Sequence, residues 1–74
     1  MEDNHGLVIY NKMLQSYFSH DGNFVGRIAS AKTYYDRGIC QWELNKIANT
    51  YKEVESYNAE NLEIKKVSVQ LIDQ

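Results

Sequence analysis

One stretch of the chain constrains the fold more than any other, because it matches a single type of secondary structure. Between residues 40 and 56, apolar side chains recur at spacings of three and four residues. They are Leu44, Ile47, Ala48, Tyr51 and Val54. This spacing places them on one face of an α-helix whose opposite face is polar. The chain contains no proline to interrupt such a helix. The sequence therefore predicts an amphipathic helix over residues 40–56.

Two further helical patterns precede this helix. The first consists of Leu7, Tyr10, Leu14, Tyr17 and Phe18, and the second of Phe24, Ile28, Ala31 and Tyr35. They predict helices over residues 7–20 and 24–36, because their spacing repeats with the period of an α-helix. Gly22 and Gly38 are expected to end these helices, since glycine readily adopts the left-handed conformation that follows a helix. The alternative for the first pattern is a short strand, GLVIY, followed by a helix that begins only at Asn11.

The C-terminal segment NLEIKKVSVQLIDQ is compatible with two structures. As a helix it places Ile64, Val67 and Leu71 on one stripe. Its β-branched residues favour a strand, but a strand needs a partner, which residues 6–10 or a second subunit could supply. We favour the helix. The predicted fold is thus mainly α: one domain over residues 1–74, a three-helix bundle with a short fourth element near 61–72, and frayed residues 1–6.

Composition excludes several classes of protein. The only cysteine among the 74 residues is Cys40, so no intramolecular disulfide can form, which excludes a small secreted protein held by disulfides. The N-terminal residues MEDNHG lack the positive and apolar segments of a signal peptide. The longest apolar run, residues 7–10, is far too short to cross a membrane. We therefore expect a cytoplasmic protein without a membrane partner.

Charge is distributed unevenly along the chain. Residues 23–52 carry five basic and two acidic side chains, whereas the segments on both sides are acidic. A basic segment of this kind either contacts an anionic partner or pairs with the acidic ends of its own chain. We favour the internal pairing.

The segment YYDRGICQWELNKIANTY, residues 34–51, raises the question of DNA binding. In a helix-turn-helix, Gly38 would form the turn, and apolar residues would hold the recognition helix from behind. The residues at those apolar positions are Ile39, Leu44 and Ile47, which fit. Tyr34 does not fit, because a small residue is needed where the two helices cross. The side chains offered to DNA would be Glu43, Lys46, Asn49 and Thr50. A plain helical hairpin is the favoured interpretation.

The aromatic residues indicate a different kind of site. The chain has six tyrosines, two phenylalanines and one tryptophan, more than so small a core can enclose. Tyrosine, tryptophan and arginine dominate the binding energy of protein interfaces. These three residue types cluster around the turn at Gly38, and the predicted partner-binding residues are Tyr34, Tyr35, Arg37, Trp42 and Lys46. The alternative for Trp42 is packing on Tyr35 at one end of the core.

Catalytic and metal sites are not predicted. Cys40 near a helix N-terminus beside Arg37 could have a lowered pKa and act as a reactive thiol, but a small, half-buried structural residue is the favoured interpretation. The residues that could bind a metal follow no recognised ligand spacing. They are His5, His20, Asp21 and Cys40. We therefore expect no enzyme activity, cofactor or metal.

Together these patterns predict a small non-enzymatic regulatory or inhibitory protein that binds a protein partner. Its size and its composition, rich in Lys, Asn and Tyr, would suit a phage or mobile element. The alternative is a dimeric helix-turn-helix transcriptional regulator that binds DNA. A homodimer is compatible with either hypothesis.

Overall fold

The computed structural model describes residues 5–68, which form a four-stranded antiparallel sheet with an α-helix packed on one face. The strands are β1 (His5–Asn11), β2 (Ser16–Phe18), β3 (Phe24–Val25) and β4 (Leu62–Ser68), and the helix is α1 (Arg37–Thr50). Short 3-10 turns occupy Ile28–Ser30, Glu55–Tyr57 and Ala59–Asn61. The strand order across the sheet is β3-β2-β1-β4, so the first and last strands of the described chain are neighbours and β4 is an edge strand.

The predicted three-helix bundle is wrong, since residues 5–68 contain one α-helix. Residues 7–20 form β1, a hairpin loop and β2, and residues 24–36 form β3, a 3-10 turn and an extended segment. Leu7 and Tyr10 satisfy helical spacing, yet in β1 it is the alternate residues Leu7 and Ile9 that pack in the core beneath α1. This alternation has the period of a strand, in which successive side chains point to opposite faces.

A buried asparagine holds the β1–β2 hairpin in place. Asn11 is fully buried, its side-chain carbonyl accepts a hydrogen bond from the Leu14 backbone N–H at 3.0 Å, and its amide donates to the Ser56 carbonyl at 2.7 Å. The loop, residues 12–15, has no glycine, and Gln15 takes the left-handed conformation with φ of 52°. The sequence pattern does not indicate this turn, because the residue in the left-handed conformation is a glutamine, which rarely adopts it.

The C-terminal segment is a strand over the described residues. β4 pairs with β1 in an antiparallel ladder that runs from His5 opposite Ser68 to Asn11 opposite Leu62. The favoured helix is therefore wrong for residues 62–68, and the alternative, a strand paired with residues 6–10, is the arrangement found. The remainder of the predicted fourth element, residues 69–72, lies outside the described residues, as does most of the predicted frayed segment, residues 1–4.

The predicted helix over residues 40–56 is present with different ends. It begins three residues earlier because the Asp36 carboxylate accepts a hydrogen bond from the Ile39 N–H at 3.1 Å and caps the helix. Gly38 was predicted to end a preceding helix, and this prediction is wrong, because Gly38 lies in the first turn of α1. A Cβ atom on Gly38 would lie 3.1 Å from the Asp36 carboxylate oxygen, so glycine leaves room for the cap. α1 ends at Thr50, and Tyr51 follows it as the C-cap.

The segment before α1 removes the basis for a helix-turn-helix. Tyr34 exchanges two backbone hydrogen bonds with Leu7, both 2.7 Å long, and so forms a bridge to β1. The Lys32 N–H donates to the Phe18 carbonyl at 2.8 Å. An extended segment held to two strands cannot serve as the first helix of that motif. The predicted helical hairpin around Gly38 is wrong for the same reason.

The core lies between α1 and one face of the sheet. Its buried residues are Ile9, Phe18, Tyr34, Cys40, Leu44, Ile47 and Leu62. α1 contributes Cys40, Leu44 and Ile47, spaced by four and three residues, so that one helical stripe covers the sheet. Within residues 5–68, no helix combines the length and apolar character that crossing a membrane would need.

Candidate protein-binding surface

The outward face of α1 carries large apolar side chains in water. Ile39 and Trp42 are 57% and 59% exposed. Ile39, Trp42 and Lys46 are spaced by three and four residues, so they form one ridge on the side of the helix opposite Leu44. The Lys46 ammonium lies 5.1 Å from the centroid of the Trp42 ring, within the range of a cation–π contact. This ridge therefore combines an aromatic ring, an aliphatic side chain and a positive charge.

Two further predicted residues lie in the first turn of α1 and just before it, and Arg37 projects from a different side of the helix than Ile39. Tyr35 is 71% exposed, and Arg37 in the first turn of α1 is exposed as well. The alternative for Trp42, packing on Tyr35 at the end of the core, does not match this exposure. We refer to Tyr35, Arg37, Ile39, Trp42 and Lys46 as the α1 surface.

Tyr34 does not belong to the α1 surface. It is only 5% exposed, and its ring packs in the core. Its hydroxyl is buried and has no hydrogen-bond partner among the described residues. Burial raises the pKa of Tyr34 well above its ordinary value, and the nearby Glu43 and Cys40 raise it further. Tyr34 and Tyr35 thus point to opposite sides, because successive residues of an extended segment alternate.

Ile39 is the surface residue that the sequence interpretation missed. That interpretation treated Ile39 as an apolar position behind a recognition helix. The pattern contained a sign of its exposure, since Ile39 is spaced three residues from Trp42 and lies off the Leu44–Ile47 stripe. Once the helix begins at Arg37, Ile39 and Trp42 must share the face that points away from the sheet.

No family model, curated protein or solved structure gives a significant match to this chain.

A small depression adjoins the α1 surface. It has a volume of about 130 Å³ and shares Lys46 with the ridge. Its other lining residues are Phe18, Gly22, Glu43, Ile47, Thr50 and Tyr51. Pockets for small-molecule ligands usually measure about 300–1,000 Å³. The depression is therefore too small for such a ligand, but it is of a size to receive one apolar side chain.

Cys40 is placed where it cannot act as a reactive thiol. It is fully buried in the core. Burial raises the pKa of the thiol to about 11, although Arg37 lowers it in part. A thiolate is the nucleophilic form, so a raised pKa makes Cys40 less reactive at neutral pH. No group of three His, Cys, Asp or Glu side chains that could hold a metal occurs in the described part of the chain, and the side chain of His5 lies outside that part.

The basic middle third is not neutralised within the described structure. Between residues 5 and 68, the ion pair present joins the Lys65 ammonium and the Glu63 carboxylate at 3.9 Å, and both residues belong to β4. The favoured internal pairing of the middle third with the acidic segments is thus not seen in this part of the chain. Arg37 and Lys46 are both exposed and add two positive charges to the α1 surface.

Proposed function

We propose that this chain is a small, non-enzymatic, cytoplasmic regulatory or inhibitory protein that binds a protein partner through the α1 surface. The observation that carries the proposal is the exposure of Tyr35, Ile39 and Trp42, each more than half accessible, around one helix. Fully burying one large apolar side chain stabilises an association by about 1.5–3 kcal/mol. Tryptophan, tyrosine and arginine are also the residue types that most often dominate interface energies.

The rigidity of α1 supports the proposal further. The helix is anchored to the sheet by Cys40, Leu44 and Ile47, and its first turn is capped by Asp36. A surface that is already ordered loses little conformational entropy when it binds, so more of its contact energy remains as affinity. The depression beside Lys46 could receive an apolar side chain of the partner.

The charges define the chemistry of the partner. Arg37 and Lys46 are both exposed and give the α1 surface two positive charges, which calls for acidic groups in the partner's interface. The partner should therefore present an apolar patch or projecting side chain with carboxylates around it. Glu43 beside the depression would repel a partner whose acidic groups approached from that side.

The proposal is tested by affinity capture from the source cell lysate, with and without nuclease. The tagged full-length chain should retain a protein that survives nuclease treatment. Trp42→Ala combined with Arg37→Ala should abolish its capture. Ile28→Ala is the matched control, because Ile28 is 50% exposed but lies in a different element. Circular dichroism should show that all variants keep the fold.

Two results would contradict the proposal. One is capture that is unchanged by the Trp42 and Arg37 substitutions in folded protein. The other is capture that nuclease abolishes, which would indicate that nucleic acid mediates the contact. A binding that weakens steeply with salt on purified duplex DNA would support the second explanation.

A further inference from the structure

The outer edge of β4 carries backbone groups that no other strand among residues 5–68 pairs with. β4 is the last strand in the sheet order, and within residues 5–68 no strand lies beyond it. The Lys12 N–H donates to the Asn61 carbonyl at 2.7 Å, which makes these two residues a hydrogen-bonded pair at one end of the β1–β4 ladder. In an antiparallel ladder, bonded and non-bonded pairs alternate. The residues that point their backbone groups away from β1 are therefore Leu62, Ile64 and Lys66. The Leu62 N–H already donates to the Ala59 carbonyl, so the groups left to pair are the Leu62 carbonyl and the N–H and C=O of Ile64 and Lys66.

Two hydrogen bonds on the other side of β1 independently support this alternation of bonded and non-bonded pairs. Leu7 lies opposite Lys66 in the ladder, yet both backbone groups of Leu7 bond to Tyr34 on its other side. Leu7 and Lys66 are thus a non-bonded pair, and the N–H and C=O of Lys66 face outward. Such an edge is a template for pairing with another strand.

Charge restricts how a second copy of β4 could pair with the first. In a two-fold antiparallel arrangement, the axis passes beside one residue of β4, which then lies opposite the same residue of the partner subunit. An axis at Lys65 would put the two Lys65 side chains opposite each other, and an axis at Glu63 would do the same for the two Glu63 side chains. Like charges directly opposite are destabilising. An axis at Ile64 instead places each Glu63 opposite Lys65 of the partner subunit.

The same axis suits the backbone. It brings the outward-pointing groups of Ile64 against those of Ile64 of the partner subunit, and it places the Leu62 carbonyl opposite the N–H of Lys66 of the partner subunit. Glu63 and Lys65 then form non-bonded pairs, in which side chains approach more closely. Both side chains lie on the face of the sheet away from α1, because they alternate along β4 with Leu62 and Ile64, which pack in the core. On that face Lys65 lies 3.9 Å from Glu63 and 4.2 Å from the centroid of the Tyr10 ring.

We propose that two copies of this chain form a symmetric dimer through antiparallel pairing of their β4 strands, with the two-fold axis at Ile64. The two sheets join into one continuous sheet across this edge. The lysines at 65 and 66, which ordinarily protect an edge strand against pairing, here select one register and one partner. The edge of β4 fits a second copy of itself, because in this register its hydrogen-bonding groups and its charges are both complementary to those of the second copy.

The dimer has a geometric consequence for the α1 surface. A two-fold axis perpendicular to the sheet keeps both α1 helices on the same side of the joined sheet. The two α1 surfaces therefore face in the same direction, which would allow a partner with two sites to bind both at once. The dimer itself does not depend on the function proposed for the α1 surface.

Sedimentation velocity of the full chain tests the dimer, over concentrations from about 1 µM to about 1 mM, a range that covers weak to moderate association. The wild type should shift from monomer to dimer within this range. Lys66→Pro should remain monomeric, because it removes an outward N–H that the partner subunit needs, while proline is tolerated on an edge strand. Lys66→Ala is the matched control and should still dimerise, since it keeps the N–H.

Charge reversal tests the register and does not rely on proline. Glu63→Lys and Lys65→Glu alone should each weaken the dimer by about tenfold or more, because each turns two attractive pairs into two repulsive ones. The double variant Glu63→Lys with Lys65→Glu should restore the dimer. A wild type that stays monomeric throughout, a dimer that survives Lys66→Pro, or a double variant that fails to recover would each overturn the proposal.

Discussion

The buried hydroxyl of Tyr34 leads to a specific stability prediction. The hydroxyl has no hydrogen-bond partner among the described residues, and the side chain is only 5% exposed. A buried polar group left without a partner costs about 1–3 kcal/mol. Tyr34→Phe removes that group and keeps the ring, its packing and its contact with Lys32, whose ammonium lies 5.2 Å from the ring centroid. We therefore expect Tyr34→Phe to raise the free energy of unfolding by about 1 kcal/mol.

Urea and thermal unfolding measure this change. For a domain of this size, a gain of about 1 kcal/mol corresponds to a rise in Tm of about 4–8 °C. The urea midpoint should increase while the slope of the transition stays the same. Tyr35→Phe is the matched control, because Tyr35 is the adjacent residue and is 71% exposed, so its hydroxyl is hydrated in both states and stability should not change.

The alkaline behaviour of the same variant gives a second measurement. The pKa of Tyr34 is raised in the folded protein, so the folded state holds this proton at pH values where the unfolded state releases it. Ionisation of this group therefore has no effect on stability below the ordinary pKa of 10.0 and lowers the free energy of unfolding as pH rises above that value. Tyr34→Phe should reduce the loss. A destabilised Tyr34→Phe protein would refute the reasoning, because it would mean that the hydroxyl is hydrogen-bonded in the native state.

Two other predictions concern α1. Asp36→Ala should lower the free energy of unfolding by about 1 kcal/mol, because it removes the acceptor of the Ile39 N–H, whereas Asp36→Asn should keep most of the stability; equal urea midpoints for the two variants would contradict the capping role. Cys40 has a folded pKa raised from 9.0 to about 11, so its contribution to stability is complete below about pH 9 and falls as pH rises towards 11. Cys40→Ala should unfold with a smaller pH dependence than the wild type in that interval, and an unchanged dependence would show that the thiol is not the cause.

The part of the fold that could be predicted is the part that local spacing determines. Leu44 and Ile47 were expected on the buried face of a helix, and α1 buries both. Only its ends differ. The helix extends N-terminally because Asp36 caps it, and it stops before Tyr51, although Tyr51 and Val54 continue the apolar spacing. Spacing identifies the face of a helix, but capping contacts decide where it begins and ends.

The sheet could not be predicted in the same way, because its pairing joins distant residues. β1 and β4 lie at opposite ends of the described chain, and within residues 5–68 β1 is the strand with which β4 pairs. Leu7, Tyr10 and Leu14 fit a helical spacing by chance, and no glycine marks the β1–β2 hairpin, whose loop depends on Asn11 and Gln15. The sequence pattern was compatible with strands at residues 6–10 and in the C-terminal segment. What favours these strands over helices is the pairing of one with the other, which the pattern does not contain.

The candidate surface shows the same division at neighbouring residues. Tyr34 and Tyr35 were equivalent in the sequence, yet the bridge between Tyr34 and Leu7 directs one ring into the core and leaves the other in water. Trp42 was assigned to the surface because it lies off the Leu44 stripe, and that reasoning would have included Ile39 had the start of the helix been known. The binding role of these residues stays a prediction.

The sequence by itself determined that α1 forms and which of its faces is apolar, because contacts within a helix link residues only three and four positions apart. It also determined that Cys40 has no disulfide partner in the chain. The tertiary structure decided that β1 to β4 form one sheet, that Asn11 and Tyr34 are buried, and that β4 is an edge strand of the sheet within residues 5–68. Strand pairing is a contact between segments distant in sequence, and its energy depends on partners that no local pattern contains.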